Sequence, residues 1–218
     1  MTLEGTNTYV VGDDPVVVID PGPADEGHIR AVREEAERRG GLGGYLLTHS
    51  HFDHADGVKL LGAELIETRG DRAGPFEVVP TPGHAADHVC FVLDGACFTG
   101  DLVLGEGSSY VPPDGGSLIS YLDSLRRLQG LDLNLLCPGH GPFVTDPSAK
   151  LAEYLDHRLD RERKLLAALD SGERSRARLL AIAWDDVPAG LRPAAAEVMK
   201  AHLEKLDSEG RLPDDLHE

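Results

Sequence analysis

The stretch Thr48-His49-Ser50-His51-Phe52-Asp53-His54-Ala55-Asp56-Gly57 carries three imidazoles and one carboxylate within six consecutive positions. It follows the apolar run Tyr45-Leu46-Leu47 and precedes an amphipathic segment, residues 55–61, so the pattern predicts a strand, a loop and a helix. Alternate side chains of an extended chain point the same way. We therefore expect His49 and His51 to converge on one point.

Asp53 and His54 stand where the predicted helix begins, and they can address a second point close to the first. Imidazole nitrogen and carboxylate oxygen are ligands that zinc and iron accept. A polar loop that binds nothing is the alternative for any single histidine of this kind. Four ligand-type residues directly after a buried strand favour a metal site instead.

Three further ligand-type residues follow other predicted strands. His84 and His140 each end a Pro-Gly-His turn after an apolar run, and Asp101 follows the run that ends at Thr99. A lone histidine at such a place is usually a surface residue or a satisfied core residue. Loops gather where strands end, so these three residues are expected to lie close to the cluster at residues 49–54. We therefore treat His84, Asp101 and His140 as candidate ligands.

Two further polar residues are expected to support the site. Asp20 ends a predicted strand, and we expect it to hydrogen-bond a neighbouring loop, although it could also be a ligand. His88 lies four residues after His84, and we expect it to support a ligand rather than to be one. Tyr110 and the pair Ser108-Ser109 lie in the loop after Asp101, where they either contact substrate or form a plain structural loop.

The remaining pattern predicts alternating elements in the first part of the chain and helices in the last. The predicted strands comprise a hairpin over residues 9–19 and segments 44–47, 64–67, 76–80, 88–93, 96–99 and 133–137. The predicted helices cover residues 28–39, 55–62, 118–128, 148–169, 175–183, 191–199 and 201–208. Five leucines are expected near one face of the long helix: Leu151, Leu155, Leu159, Leu165 and Leu169.

Composition limits the functions that fit. The chain has 218 residues and a net charge of −17, with 38 acidic and 21 basic side chains, which disfavours nucleic-acid binding driven by phosphates. Three scattered cysteines predict buried free thiols. The sequence contains neither a membrane-spanning apolar run nor a basic-then-apolar leader after Met1, so we expect a cytoplasmic protein.

The seven candidate ligands, in their order and spacing, resemble the metal-binding motifs of the metallo-β-lactamase superfamily over residues 6 to about 145. The resemblance implies an α/β fold, an αββα sandwich with the metals at one end. It implies that His49, His51 and His84 hold one metal, that Asp53, His54 and His140 hold a second, and that Asp101 bridges them. Two divalent metal ions are expected, with zinc the first choice and iron or manganese as alternatives.

Within the superfamily, the chain is most similar to the lactamase-β-2-like and glyoxalase II-like branch. Supporting stretches include Gly5-Thr6-Asn7-Thr8-Tyr9, the run from Gly100 to Gly107, and the pairs His157-Arg158 and Arg161-Glu162. The resemblance also implies a small winged-helix-like C-terminus. We therefore divide the chain into a catalytic domain, residues 1–147, and a helical winged-helix-like region, residues 148–218.

The resulting prediction is a metal-dependent hydrolase that uses a hydroxide bridged by two metals. Asp53 and Asp101 are the candidate catalytic residues. The substrate is expected to be a thioester or ester of a small or carrier-bound acyl group. Single-stranded RNA cleavage, which the charge disfavours, and mononuclear-iron sulfur dioxygenation are the alternatives. A binding or dimerisation module with a structural metal fits less well, because a structural zinc ion is fully coordinated by four protein ligands, whereas this chain offers seven. The sequence also leaves open whether the chain forms a homodimer.

Overall fold

The computed structural model describes residues 5–216. Eight strands lie within those residues: β1 (Tyr9–Val11), β2 (Val16–Ile19), β3 (Leu42–Leu46), β4 (Arg72–Ala73), β5 (Phe76–Pro80), β6 (Val89–Leu93), β7 (Ala96–Gly100) and β8 (Leu135–Pro138). The same residues form seven α-helices: α1 (Glu26–Arg38), α2 (Phe52–Ala55), α3 (Val58–Leu61), α4 (Leu118–Gln129), α5 (Pro147–Asp170), α6 (Arg176–Ala183) and α7 (Arg192–Ser208).

The strands form two sheets, ordered β1-β2-β3 and β4-β5-β6-β7-β8. The predicted hairpin is present as antiparallel β1 and β2, and β3 runs parallel to β2. In the second sheet β5, β6 and β7 are antiparallel in turn, and β8 is parallel to β7. Strands β5, β7 and β8 therefore all end at the same edge of their sheet, as β2 and β3 do in theirs.

The two sheets pack face to face through an apolar layer. Ile19 and Leu46 of the first sheet belong to one buried cluster with Phe76, Phe91 and Phe98 of the second. Because neighbouring side chains of a strand point to opposite faces, Val18 and Val79 face outwards where Ile19 and Val78 face inwards.

Helices cover both outer faces. Ile29 and Val32 of α1 pack with Leu61 of α3 on the first sheet. On the second sheet, Val79, Cys90 and Leu136 pack against α4 and the first half of α5. The predicted αββα sandwich is therefore confirmed.

Polar residues mark the start of the covering helices. The side chain of Asp25 accepts a hydrogen bond from the His28 amide, and that of Ser117 accepts one from the Ser120 amide. Asp146 does the same for α5, whose first residue is Pro147. Such caps satisfy amides that have no partner inside the helix, and they fix where each helix begins.

Helix α5 contributes to two separate cores. Leu151 and Leu155 pack under the second sheet, whereas Leu165 and Leu169 pack with α6 and α7 in a second cluster. Leu159, which we expected on the same face, is 36% exposed, because Arg158 and Glu162 occupy the buried face of the helix at this level. No strand occurs between residues 139 and 216, so the described C-terminal part is helical.

Predictions for three segments of the chain were wrong. The single helix expected over residues 55–62 is broken into α2 and α3, because the Gly57 amide bonds the Gly22 carbonyl and a Cβ there would lie 2.8 Å from Ile29 Cδ1. Residues 64–67 make only an isolated bridge beside Tyr45. The two helices expected over 191–208 are one helix, α7, because nothing interrupts its backbone at Lys200.

Among residues 5–216, no helix is both long and apolar enough to span a bilayer. The three cysteines, Cys90, Cys97 and Cys137, are buried free thiols, as predicted.

Candidate metal centre

All seven candidate ligands lie at the edge where β3, β5, β7 and β8 end. The loop after β3 supplies His49 to His54, and the three other strands are followed by His84, Asp101 and His140. Their imidazole nitrogens and carboxylate oxygens form three groups, each within 4.8 Å: His49, His51 and His84; His49, His54 and Asp101; and Asp53, His54 and His140.

Asp101 faces two of these groups at once. Its Oδ2 atom lies 3.6 Å from His84 Nε2, and its Oδ1 atom lies 3.4 Å from His54 Nε2 and 3.3 Å from His140 Nε2. One carboxylate therefore lies between the two ligand sets that the family resemblance implies.

The donor atoms fit a metal ion rather than a hydrogen-bonded core. His54 Nε2 and Asp101 Oδ1 are buried and have no hydrogen-bond partner among the described residues. Buried polar atoms are normally paired. Glycine at position 139 keeps the space open, since a Cβ there would lie 2.6 Å from His54 Cε1 and 2.7 Å from Asp101 Oδ1.

Asp20 bonds both ends of the segment from Thr48 to His54, which carries four of the candidate ligands. Its carboxylate accepts hydrogen bonds from the Thr48 amide at 2.7 Å and the Thr48 hydroxyl at 2.6 Å, and its Oδ2 lies 2.9 Å from His54 Nδ1. Because Nδ1 faces Asp20, Nε2 of His54 faces the site. The predicted hydrogen bonding of Asp20 to a neighbouring loop is confirmed.

The other ring nitrogens of His84 and His140 face backbone carbonyls. His84 Nδ1 lies 2.6 Å from the Tyr110 oxygen, and His140 Nδ1 lies 2.8 Å from the Gly5 oxygen. Partners of this kind fix the tautomer and orientation of a ligating imidazole. The sequence could not reveal them, because a carbonyl acceptor leaves no residue-type signal.

His88 belongs to none of the three ligand groups. Its Nδ1 lies 2.9 Å from the Thr81 hydroxyl, and its Nε2 accepts the Asp101 amide at 3.2 Å. Burial lowers the pKa of His88 to about 3, so the ring is neutral and can accept that hydrogen bond. The structure thus agrees with a supporting role for His88.

The carboxylates of the site raise the pKa values of two of the candidate ligand imidazoles. Burial lowers the pKa of His54, but the Asp101 and Asp20 carboxylates outweigh it and raise the pKa to about 10. Burial likewise opposes the Asp101 and Asp53 carboxylates at His140, whose pKa is raised to about 9. A divalent cation would take the place of these protons, because metal ligands bind in their deprotonated form.

The loop after Asp101 divides into a buried and an exposed part. Ser109 is buried, and its hydroxyl donates to the Leu102 carbonyl at 2.9 Å. Ser108 is exposed, and the Tyr110 side chain is 37% exposed. Ser109 therefore has a structural role, and only Ser108 and Tyr110 are open to a substrate.

Comparison with known proteins agrees with this geometry. A family model described as metallo-beta-lactamase superfamily matches residues 1–67 and 56–140, which is more than half of the chain. The chain belongs to the metallo-beta-lactamase superfamily. Members of this superfamily bind metal ions and are generally hydrolytic enzymes. A second model, the beta-lactamase associated winged helix domain, matches residues 175–215, which confirms the winged-helix-like C-terminus.

The chain is 38% identical over 206 residues to lactamase-like protein adaB from Aspergillus niger, covering 83% of this chain and 63% of adaB. It is 30% identical to the beta-lactamase-like protein 2 homolog of Drosophila melanogaster, covering 97% of this chain and 85% of that protein. It is 33% identical to the atrochrysone carboxyl ACP thioesterase of Aspergillus fumigatus, covering 81% and 63%. The chain thus spans less than two thirds of the length of each of the two Aspergillus proteins.

Two solved structures share the fold. A metallo-beta-lactamase family protein from Thermus thermophilus has a TM-score of 0.75 at 23% identity, covering 94% of this chain and 89% of that chain. A protein solved in a di-iron-bound form has a TM-score of 0.52 at 26% identity, covering 70% and 92%. The first likeness shows the fold alone.

Proposed function

We propose that this superfamily hydrolase is a dinuclear metallohydrolase that cleaves a thioester or ester of a small or carrier-bound acyl group. The observation that carries the proposal is the position of Asp101, whose two oxygens face different ligand sets. The relative from A. fumigatus, described as an acyl-carrier thioesterase, supports the substrate class.

The proposed ligands of the first metal are His49, His51 and His84, and those of the second are Asp53, His54 and His140, with Asp101 shared. Two divalent metals bound there would supply a nucleophilic hydroxide near neutral pH and polarise the acyl carbonyl. Zinc is the first choice, with iron or manganese as alternatives, and the di-iron form of the 26%-identical structure supports a two-metal site.

The chain's own residues prepare that chemistry. Asp20 and the Tyr110 carbonyl aim the rings of His54 and His84 into the site. The His140 imidazole lowers the pKa of Asp53, so this carboxylate is ionised and able to accept a hydrogen bond from an attacking water. Its side chain is 14% exposed, which leaves it within reach of solvent.

Exposed aromatic rings beside the ligands suit an apolar acyl group. Phe52, between His51 and Asp53, is 68% exposed, and Phe143, three residues after His140, is 60% exposed. Contiguous exposed apolar surface beside a candidate active site is a common sign of binding, and both rings lie close to proposed ligands in the sequence. We therefore propose that they contact the acyl chain of the substrate.

Replacing Phe52 with alanine should lower kcat/KM for a long-chain or aromatic acyl thioester by about tenfold, since covering a Phe ring is worth roughly 1.5–3 kcal/mol. The acetyl thioester should be affected much less, because it cannot reach the ring. Ile182→Ala removes a 44% exposed side chain in α6 and is the control. Equal losses for acetyl and long acyl substrates would contradict acyl binding by Phe52.

RNA cleavage is the competing function, and the cations clustered on α5, α6 and the turn between them have partners within the described residues. Arg158 and Arg161 are buried, Arg163 and Lys164 pair with Asp160, and three further arginines contact nearby acceptors. Those three are Arg174 with Asp215, Arg178 with Glu173, and Arg176 with the Leu216 carbonyl. A phosphate chain would have to displace these contacts.

Thioester hydrolysis should stop when a chelator removes the metal. Its turnover rate should change no more than about twofold between roughly 50 and 200 mM salt. By contrast, the affinity for RNA bound through roughly 6–10 phosphates would fall about 10³–10⁵-fold over that range. The measurement is turnover of acyl thioesters and of single-stranded RNA across that salt range. Rapid, salt-sensitive RNA cleavage with inert thioesters would reverse the proposal. One iron per chain with oxygen-dependent turnover of a persulfide would favour the dioxygenase alternative.

A further inference from the structure

Arg158 is a buried cation of α5 that no ion pair explains. Its residue exposure is 2%, and within residues 5–216 no carboxylate lies within 4 Å of its guanidinium. Instead, its Nη2 donates to the Ser109 carbonyl, and the guanidinium lies 5.2 Å from the centre of the Tyr121 ring. Burying a charge without an opposite charge is costly, so the carbonyl and the aromatic ring are the contacts that compensate the guanidinium here.

The Ser109 carbonyl lies next to a contact of the proposed metal centre. The following carbonyl, that of Tyr110, is the one that lies 2.6 Å from His84 Nδ1. The guanidinium therefore holds the Ser109–Tyr110 peptide. That peptide is joined through the Tyr110 Cα to the one whose carbonyl faces His84.

The same loop is held at its beginning by two hydroxyls. Ser109 Oγ and Tyr121 Oη both donate to the Leu102 carbonyl, at 2.9 and 2.7 Å, one residue after Asp101. Tyr154 lies one turn before Arg158 on α5, and its hydroxyl accepts the Leu104 amide at 3.0 Å and donates to the Gly107 carbonyl at 3.0 Å. Side chains four residues apart share a helix face, so α5 supports the loop at several points.

We propose that Arg158 is a positioning residue for the first metal: it acts through the Ser109–Tyr110 peptide to hold His84 in its ligating orientation. The inference rests on the proposed metal centre and not on the identity of the substrate. A group that orients a ligating histidine typically changes metal affinity about 10–100-fold when it is removed. Only the metal that His84 binds should be affected.

The test is Co²⁺ binding to the 218-residue chain and to its Arg158→Met and Arg158→Lys variants, with visible absorption and a competing chelator. In Arg158→Met, one of two Co²⁺ equivalents should bind about 10–100-fold more weakly with an altered spectrum. Arg158→Lys keeps a donor for the Ser109 carbonyl and should recover part of that affinity. Arg163→Met is the control, because Arg163 is exposed on the same helix and its partner within residues 5–216 is Asp160.

Native Co²⁺ affinity and spectrum at both equivalents in a folded Arg158→Met chain would overturn the proposal. So would an equal loss of both equivalents, which would indicate a general structural role. If Arg158→Met does not fold, Arg158→Lys decides: selective weakening of one equivalent supports positioning, and unchanged binding refutes it. A wild-type chain that binds no Co²⁺ would refute the metal centre, and this inference with it, whereas inert thioesters alone would refute only the substrate class.

Discussion

Replacing Asp101 with alanine should abolish hydrolysis and remove at least one of about two metal equivalents per chain. Its two oxygens lie 3.3–3.6 Å from nitrogens of His84, His54 and His140, so the change takes a ligand from both proposed metals. The loss in turnover should exceed the roughly 10–100-fold typical of removing a residue that only orients a ligand. Elemental analysis and steady-state turnover of an acyl thioester provide the measurement.

Asp123→Asn is the matched control, because Asp123 is an exposed carboxylate of α4 that pairs with Arg126. It should keep both metals and normal turnover. The melting temperature of metal-free Asp101→Ala should be measured as well, so that unfolding is not mistaken for loss of a ligand. If Asp101→Ala keeps two metals and normal turnover, the shared-ligand assignment is wrong.

The place of the site could be predicted because ligand-type residues follow buried strands. His84, Asp101 and His140 come after β5, β7 and β8, and the sheet topology brings those three strand ends to one edge. The role of Asp20 was predictable for the same reason, as a carboxylate at the end of β2. In each case a histidine or an aspartate stands just after an apolar run, and both features can be recognised in the sequence.

Other features depend on tertiary contacts that leave no local pattern. The break between α2 and α3 arises because Gly57 packs against Gly22 and Ile29, residues far away in sequence. The continuity of α7 is a different case, because residues 194–208 contain neither glycine nor proline and nothing in the sequence indicates a boundary at Lys200. The sequence could not show that Tyr110 offers its carbonyl, rather than its ring, to His84.

The structure adds a second reason against phosphate binding by the C-terminal cations. In the sequence, Arg158, Arg161 and Arg163 are interleaved with acidic residues, which already predicts weak binding of RNA. In the structure, Arg158 faces the Ser109 carbonyl, and Arg161 bonds the Ala183 carbonyl and Asp186. Two of the three are therefore internal contacts of the fold. Which cations of a helix are free depends on its packing, which the sequence does not reveal.

Deleting residues 150–218 should make the remaining chain aggregate or lose its catalytic fold. Leu151, Tyr154 and Leu155 are buried against the second sheet together with α4, so their removal exposes the outer face of that sheet. At roughly 1.5–3 kcal/mol for each large apolar side chain, their loss approaches the net stability of about 5–15 kcal/mol that domains have. Size-exclusion chromatography and thermal unfolding provide the measurement.

A shorter deletion, of residues 175–218, separates the two roles of the C-terminal region. It removes α6 and α7 and exposes Leu165 and Leu169, but it keeps the first half of α5 under the second sheet. Because Tyr154 and Arg158 also stay, this variant should retain more metal and more activity than the longer deletion, even if it self-associates. A chain without residues 150–218 that is monomeric, stays in solution and is fully active would contradict any contribution of α5 to the catalytic fold.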